Sequence, residues 1–215
     1  MAFPTVVDQQ PTSNNATFTM PSFSPGDLLL ATVGAMVAPS GVSSASGGGW
    51  TLIGSTNIGS TTYERVWAKT AEAGDTFFVS GGFSTGGFVL SVSGWSGSIP
   101  SLGYAGSTGS LNPPLLTMPA AKDFLWIAGC ANYQNSISGA PASYTNLATA
   151  TYNSNGDHKI ATARRSLNAA GEDPGAFTGT ASFAGAWVVA VPPSAGSPPP
   201  GLNTWRRRRT AVLVR

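Results

Sequence analysis

The chain has 215 residues, enough for one domain with a sizeable buried core. It is 9% charged and 41% apolar, with 27 glycines and 16 prolines but no Gly-X-Y period, which excludes a collagen and argues against disorder. A single cysteine (Cys130) and a single histidine (His158) exclude an internal disulfide framework and the usual zinc ligand sets, and the net charge of +2 is unevenly spread.

MAFPTVVDQQ has neither a basic start nor an apolar h-region, and no apolar stretch approaches the roughly 20 residues of a membrane helix. We therefore expect a soluble protein, made in the cytoplasm without a signal peptide and without membrane contact. Helical periodicity is nearly absent; AKTAEAG (68–74) runs at once into Gly74. Strand signals recur along the chain. GDLLLATVGAMV (26–37) opens at Pro25-Gly26, and WTLIGS (50–55) follows Gly47–Gly49. YERVWAK (63–69) and TFFVSG (76–81) alternate, and FVLSVSGW (88–95) follows Gly86-Gly87.

The second half repeats the first. Asp27-Leu-Leu-Leu matches Asp123-Phe-Leu-Trp, and Trp50-Thr-Leu-Ile-Gly matches Tyr144-Thr-Asn-Leu-Ala. Arg65-Val-Trp-Ala-Lys-Thr matches Ile160-Ala-Thr-Ala-Arg-Arg, and Phe88-Val-Leu-Ser-Val matches Trp187-Val-Val-Ala-Val. Four matches in one order at a steady offset indicate an internal duplication, with repeats over about 20–97 and 115–191. The expected fold is all-β: a double-sheet antiparallel β-sandwich, jelly-roll-like, in which two Greek keys share one core. The alternative is two small sandwiches, with SIPSLGYAGSTGSLNPP (98–114) either joining them or crossing a single one as a long loop.

The sandwich should end near Val191. PPSAGSPPPG (192–201), with five prolines and no charge, reads as a semi-rigid spacer to an extended C-terminal arm, residues 202–215. Residues 1–205 carry six cationic and nine acidic side chains, whereas 206–215 carry five arginines and no acid.

The order PSFSPGDLLLATVGAM, GGGWTLIG, YERVWAKTAEAGD, LLTMPAAKDFLWIAGCAN and FAGAWVVAVPP, over roughly 20–191, resembles a family of β-sandwich virion proteins. These occur in tailed bacteriophages and gene-transfer-agent particles as head-decoration, head-fibre or tail-associated components. The resemblance implies a non-enzymatic structural protein on a particle surface, with other virion proteins as partners and a homo-oligomer, a trimer by analogy. It rests on strand cores and turns, so it carries over no functional residues.

Catalytic signatures are wanting. His158 sits in NSNGDHKI, a turn-like context that predicts an exposed loop imidazole; no GxSxG or SxxK is present, and SGGGW (46–50) lacks the GK[ST] of a phosphate loop. Asp27 and Asp123, at matching strand starts, suggest turn duties, and NSNGD (153–157) only faintly echoes a calcium loop. No catalytic residue, metal or cofactor is expected.

In YERVWAK the alternation sets Glu64, Val66 and Ala68 on one face and Tyr63, Arg65, Trp67 and Lys69 on the other. Ala161 and Ala163, matched to Val66 and Ala68, point to an inward small apolar set. The stripe Tyr63/Arg65/Trp67/Lys69 would then face outward, as a subunit interface or a platform for host polysaccharide, unless a loop such as 98–114 covers it.

The tail, WRRRRTAVLVR, suits phosphate, yet the body is acidic and would repel a duplex, so nucleic acid is not the expected partner. A merely solubilising tail has no use for Thr210-Ala-Val-Leu-Val. Trp205, Arg206, Arg207, Arg208, Arg209, Val212, Leu213 and Val214 are therefore the expected docking residues. The apolar segment would add as a strand to a partner's sheet while the arginines meet acidic neighbours. The sequence reading is thus a head-decoration or head-fibre subunit docked by its arm, with a tail-fibre-associated or adhesin-like module for host attachment as the alternative.

Overall fold

The computed structural model describes residues 2–36, 41–43, 48–58, 62–80, 84–105, 110–133, 136–153, 158–180 and 183–195. Fourteen strands are seen, and among the described residues there is no helix, so none is long and apolar enough to cross a membrane. The first half supplies β1 (Thr5–Thr12), β2 (Leu28–Met36), β3 (Gly41–Ser43), β4 (Thr51–Ile58), β5 (Thr62–Thr70), β6 (Phe78–Ser80) and β7 (Ser84–Ser93). The second supplies β8 (Ser101–Ala105), β9 (Leu116–Tyr133), β10 (Ile137–Gly139), β11 (Thr145–Thr151), β12 (Lys159–Glu172), β13 (Thr178–Gly179) and β14 (Phe183–Val191).

Strand pairing confirms the duplication. One antiparallel sheet has the order β1-β7-β2-β5-β4, and the other, read from its β8 edge, is β8-β14-β9-β12-β11; the ladders β3-β6 and β10-β13 correspond in the same way. Each half therefore builds a whole sheet. Its last long strand inserts between its first two, and two short strands leave to form a second ladder, the wrapped connectivity of a jelly roll with one sheet reduced. The two large sheets pack face to face as a sandwich. Their contacts are exchanged by a pseudo-twofold: β4 lies against β8 and β14, and β11 lies against β1 and β7.

Three apolar layers result. Between the sheets lie Leu28, Leu30, Val66, Phe88 and Leu90 from one half, and Leu125, Ile127, Ile160, Trp187 and Val189 from the other. The outer face of the first sheet is covered by Phe18, Phe77 and Val79, which pack on Ala31, Val33, Trp67 and Val89. The outer face of the second, with Trp126, Ala128, Cys130, Ala161 and Val188, is covered by Leu111, Ile137, Tyr144 and Phe177. Central strands such as LLLATVGAM are thus buried on both sides, which explains their unbroken apolar run.

The second sheet adds a device that the first lacks. Arg165 and Glu172 lie on one strand, seven residues apart, yet their side chains meet at 3.0 Å. At about 3.3 Å per residue a straight strand would hold them too far apart. β12 bends where its pairing with β9 shifts between Ala169 and Gly171, and the ribbon curls so that Leu116, Met118 and Leu167 reach the outer cluster.

Several expectations need correction. Ser101–Ala105 within the predicted 98–114 loop is an edge strand, and a further edge strand, Thr5–Thr12, precedes the predicted first repeat. Asp123 is inside β9, bonded to Asn168, rather than at a strand start. The register also shifts two of the four repeat matches. Thr32 pairs with Phe88 and Val66, and Gly129 pairs with Trp187 and Thr162, so these are the equivalent sets. Phe88/Trp187 is in phase; Asp27/Asp123 and Arg65/Ile160 are one residue out. Ala161 and Ala163 accordingly face the outer cluster, while Val66 and Ala68 face the shared layer.

Gly129 marks a tight approach in the shared layer, because a Cβ there would overlap the Trp187 indole. Gly129→Ala is expected to destabilise the fold by at least about 1–3 kcal/mol, read as a lower denaturant midpoint. Gly54→Ala, which meets only the side-chain ends of Leu102 and Tyr104, should cost less.

Candidate functional site

The predicted surface stripe is not a surface. Trp67 is 4% exposed and Lys69 3%, while Tyr63 and Arg65 are half-buried. Trp67 belongs to an aromatic group around Phe77, which stacks near Phe18, Trp50 and Trp67 at centroid distances of 5.1, 4.7 and 5.6 Å. The cover comes from residues around Phe18 and Phe77, whereas Leu111 of the 98–114 segment packs on the other sheet. Arg65 lies over the Tyr63 ring, 5.7 Å from its centroid.

Lys69 is consumed by structure. Its Nζ donates to Asp75 Oδ1 at 2.7 Å, to the Gly48 carbonyl at 2.9 Å and to Glu72 Oε2 at 3.2 Å. Burial opposes the ammonium charge, but Asp75 and Glu72 outweigh it and hold the pKa above its ordinary value. Asp75 Oδ2 also accepts the Glu72 N–H, so the cluster closes the turn after β5.

His158 is buried, at 3% exposure, and not the loop imidazole expected. Its ring meets Tyr133 and Tyr152 edge-on at 4.3 and 5.4 Å, and Nδ1 lies 2.7 Å from Asn153 Nδ2. Tyr152 donates to the Asn132 carbonyl at 2.7 Å. These contacts make His158 a packing residue that ties β12 to the chain leaving β11. Among the described residues no three His, Cys, Asp or Glu side chains converge as a metal site.

A carboxylate occupies the shared layer. Glu64, on β5, is fully buried and accepts the Trp187 indole N–H of the opposite sheet at 2.7 Å. Its other oxygen, Oε2, and the nearby Tyr104 hydroxyl are buried without a formed hydrogen bond. Burial pushes the Glu64 carboxyl up from 4.5 to about 8, against the smaller opposing pull of Trp187 and Tyr104. The Tyr104 hydroxyl and the Cys130 thiol are likewise raised, by burial first and by the Glu64 charge second. The sequence contained the signal for this group: a carboxylate in phase with Val66 and Ala68. Its depth makes it a proton-holding crosslink between sheets, out of a substrate's reach.

Two openings lie at the pole where the halves join. One, of about 180 Å³, is lined by Pro4, Val6, Leu125, Thr145, Asn146 and Arg164; the other, of about 420 Å³, by Ile99, Met118, Lys122, Phe124 and Pro192 among others. At the same pole the chain passes out of the sandwich: Pro193 bridges to Trp95, and Ser194 N–H donates to the Gly94 carbonyl at 2.8 Å. The start of the proline spacer is therefore bound to the domain. The predicted docking residues Trp205, Arg206–Arg209, Val212, Leu213 and Val214 lie outside the described residues, as do residues 154–157 of NSNGD.

No known family, no curated relative and no solved structure matches the chain.

Two outcomes are expected. Trp67→Ala should lower stability by about 3–5 kcal/mol in denaturant titration, as an emptied core site does. Glu64 binds its proton in the folded state where the unfolded chain has lost it. Its contribution is therefore full below pH 4.5 and is lost as pH rises to about 8. Folding stability should fall through that window by up to about 1.4 kcal/mol per pH unit. Glu64→Gln should remove this slope while keeping an acceptor for Trp187, as chemical denaturation at several pH values would show.

Proposed function

We propose that the chain is a non-enzymatic structural protein of a tailed-phage-like particle, displayed as a head-decoration or head-fibre subunit and held through residues 202–215. The observation that carries this reading is the closure of the domain together with its single-pole exit. Both outer faces are covered by the chain's own loops. The sheet edges are blunted as well: β1, β4 and β11 carry register shifts at Val6/Asp8, Leu52/Gly54 and Thr145/Ala148, and β8 has only five residues. Such edges resist strand addition from other copies. Among the described residues both sheets are covered and their edges blunted, which favours an appended segment as the means of joining an assembly. Here a proline-rich stretch, four arginines and an apolar β-forming run follow the exit at Ser194.

The resemblance to virion sandwich proteins supports the same role, and strand addition of Thr210–Val214 to a partner's sheet is its most economical form. An adhesin-like role loses its platform, because the ring and the cation that were to hold a sugar, Trp67 and Lys69, are buried.

Removing residues 202–215 should leave melting temperature and secondary structure unchanged while abolishing co-purification with particles in cells that make the remaining particle proteins. Normal incorporation of the truncated protein would overturn the proposal.

A further inference from the structure

At the pole where the halves join, the shared layer stays open around a cation. Along β12 the residues turned toward the first sheet are Ile160, Thr162 and Arg164. Ile160 is in the apolar layer, and Thr162 Oγ1 accepts Gln9 Nε2 of β1 at 2.8 Å, so β1 lies over this stretch. Arg164 is next in the alternation. Its counterpart by pairing register is Ala68, a small residue that the apolar layer absorbs. A guanidinium cannot be absorbed so, and the 180 Å³ cavity adjoins it.

The charge is not compensated by the protein. Burial alone lowers the Arg164 pKa, with no carboxylate acting on it. Among the described residues none pairs with its guanidinium, whereas Arg165, which also lines the cavity though its side chain belongs to the other face of β12, is paired with Glu172 at 3.0 Å. The walls of the cavity differ in kind. Pro4, Val6 and Leu125 are apolar, and Thr5, Thr145, Asn146 and Ser166 are polar. Thr145 Oγ1 donates to the Arg164 carbonyl at 3.4 Å and accepts from Asn146 Nδ2 at 3.2 Å, so the rim is tied to the strand that carries the cation. Asn146 has φ of 55° at the bulge of β11, a conformation that re-aims a side chain from the regular edge. A hydrated inorganic ion has no use for the apolar wall, and a neutral hydrophobe none for the cation.

We propose that this cavity binds a small organic carboxylate, with its anionic head on Arg164 and its apolar part against Pro4, Val6 and Leu125. A guanidinium offers a carboxylate two parallel N–H donors, which gives orientation as well as attraction. The volume is of the order of an engineered cavity of about 150 Å³ that admits benzene, so the apolar part has room for a single ring. The inference stands apart from how the chain is anchored.

The test titrates the full-length protein with benzoate at fixed ionic strength and follows the backbone amide resonances of Leu125 and Asn146. Benzamide, of the same shape without the charge, and inorganic phosphate, with charge but no ring, are the comparisons. Saturable shifts with benzoate are expected, with affinity at least tenfold weaker for both comparisons and for Arg164→Gln. The tail arginines are present in every sample, so a loss in that variant cannot come from them. Asn146→Asp keeps a residue type suited to the backbone there and sets an acid on the rim; it should also weaken benzoate at least tenfold, and it carries the test if Arg164→Gln fails to fold. Equal affinity of a folded variant for benzoate, equal affinity of the wild type for benzamide or phosphate, or no saturable shift would overturn the assignment.

Discussion

Everything in this fold follows from a sheet that is apolar on both faces. LLLATVGAM, FVLSV and WVVAV leave no side on which water is welcome, so a single five-stranded sheet of this composition could not stand alone. Placing two such sheets face to face covers one side of each. The remaining sides need covers of their own, and both halves make them from the same parts: an aromatic from a connecting loop and a short two-stranded ladder. Five of the six tryptophans are spent in these layers, so aromatic richness that suggests a binding surface serves packing instead.

The copies differ where polarity enters the shared layer. Glu64 stands where the second half has Ile160, and Arg164 stands where the first has Ala68. An apolar residue in place of Glu64 would spare the desolvation of a carboxyl, and that group remains tolerable because it keeps its proton and binds the Trp187 indole. Arg164 cannot shed its charge in this way, and the layer opens around it. Two equivalent strands thus meet one problem with two answers, neutralisation at depth and access to solvent at the rim.

The duplication was legible because it resides in composition and order, which tolerate small slips. Phase was not. With both faces buried, a period of two no longer distinguishes inside from outside, so Asp27/Asp123 and Arg65/Ile160 aligned plausibly while one residue out. The same ambiguity produced the exposed stripe: Trp67 and Lys69 were correctly placed opposite Val66, but opposite here means another core. The edge strands TVVDQQPT and SLGYA were missed because edges are half-wet, carry bulges or small residues, and lack an apolar run. Glu64 was placed inward by its phase alone; that it bonds Trp187, 123 positions away, requires the fold.

Gly94 has a consequence of its own. A Cβ on it would lie 3.8 Å from Pro4 Cα, its carbonyl holds Ser194, and the crossover between the halves leaves from it. Entry, exit and midpoint of the sandwich therefore coincide at one point in space. With these points side by side, a circularly permuted chain that starts at Ser101 is expected to find the same partners.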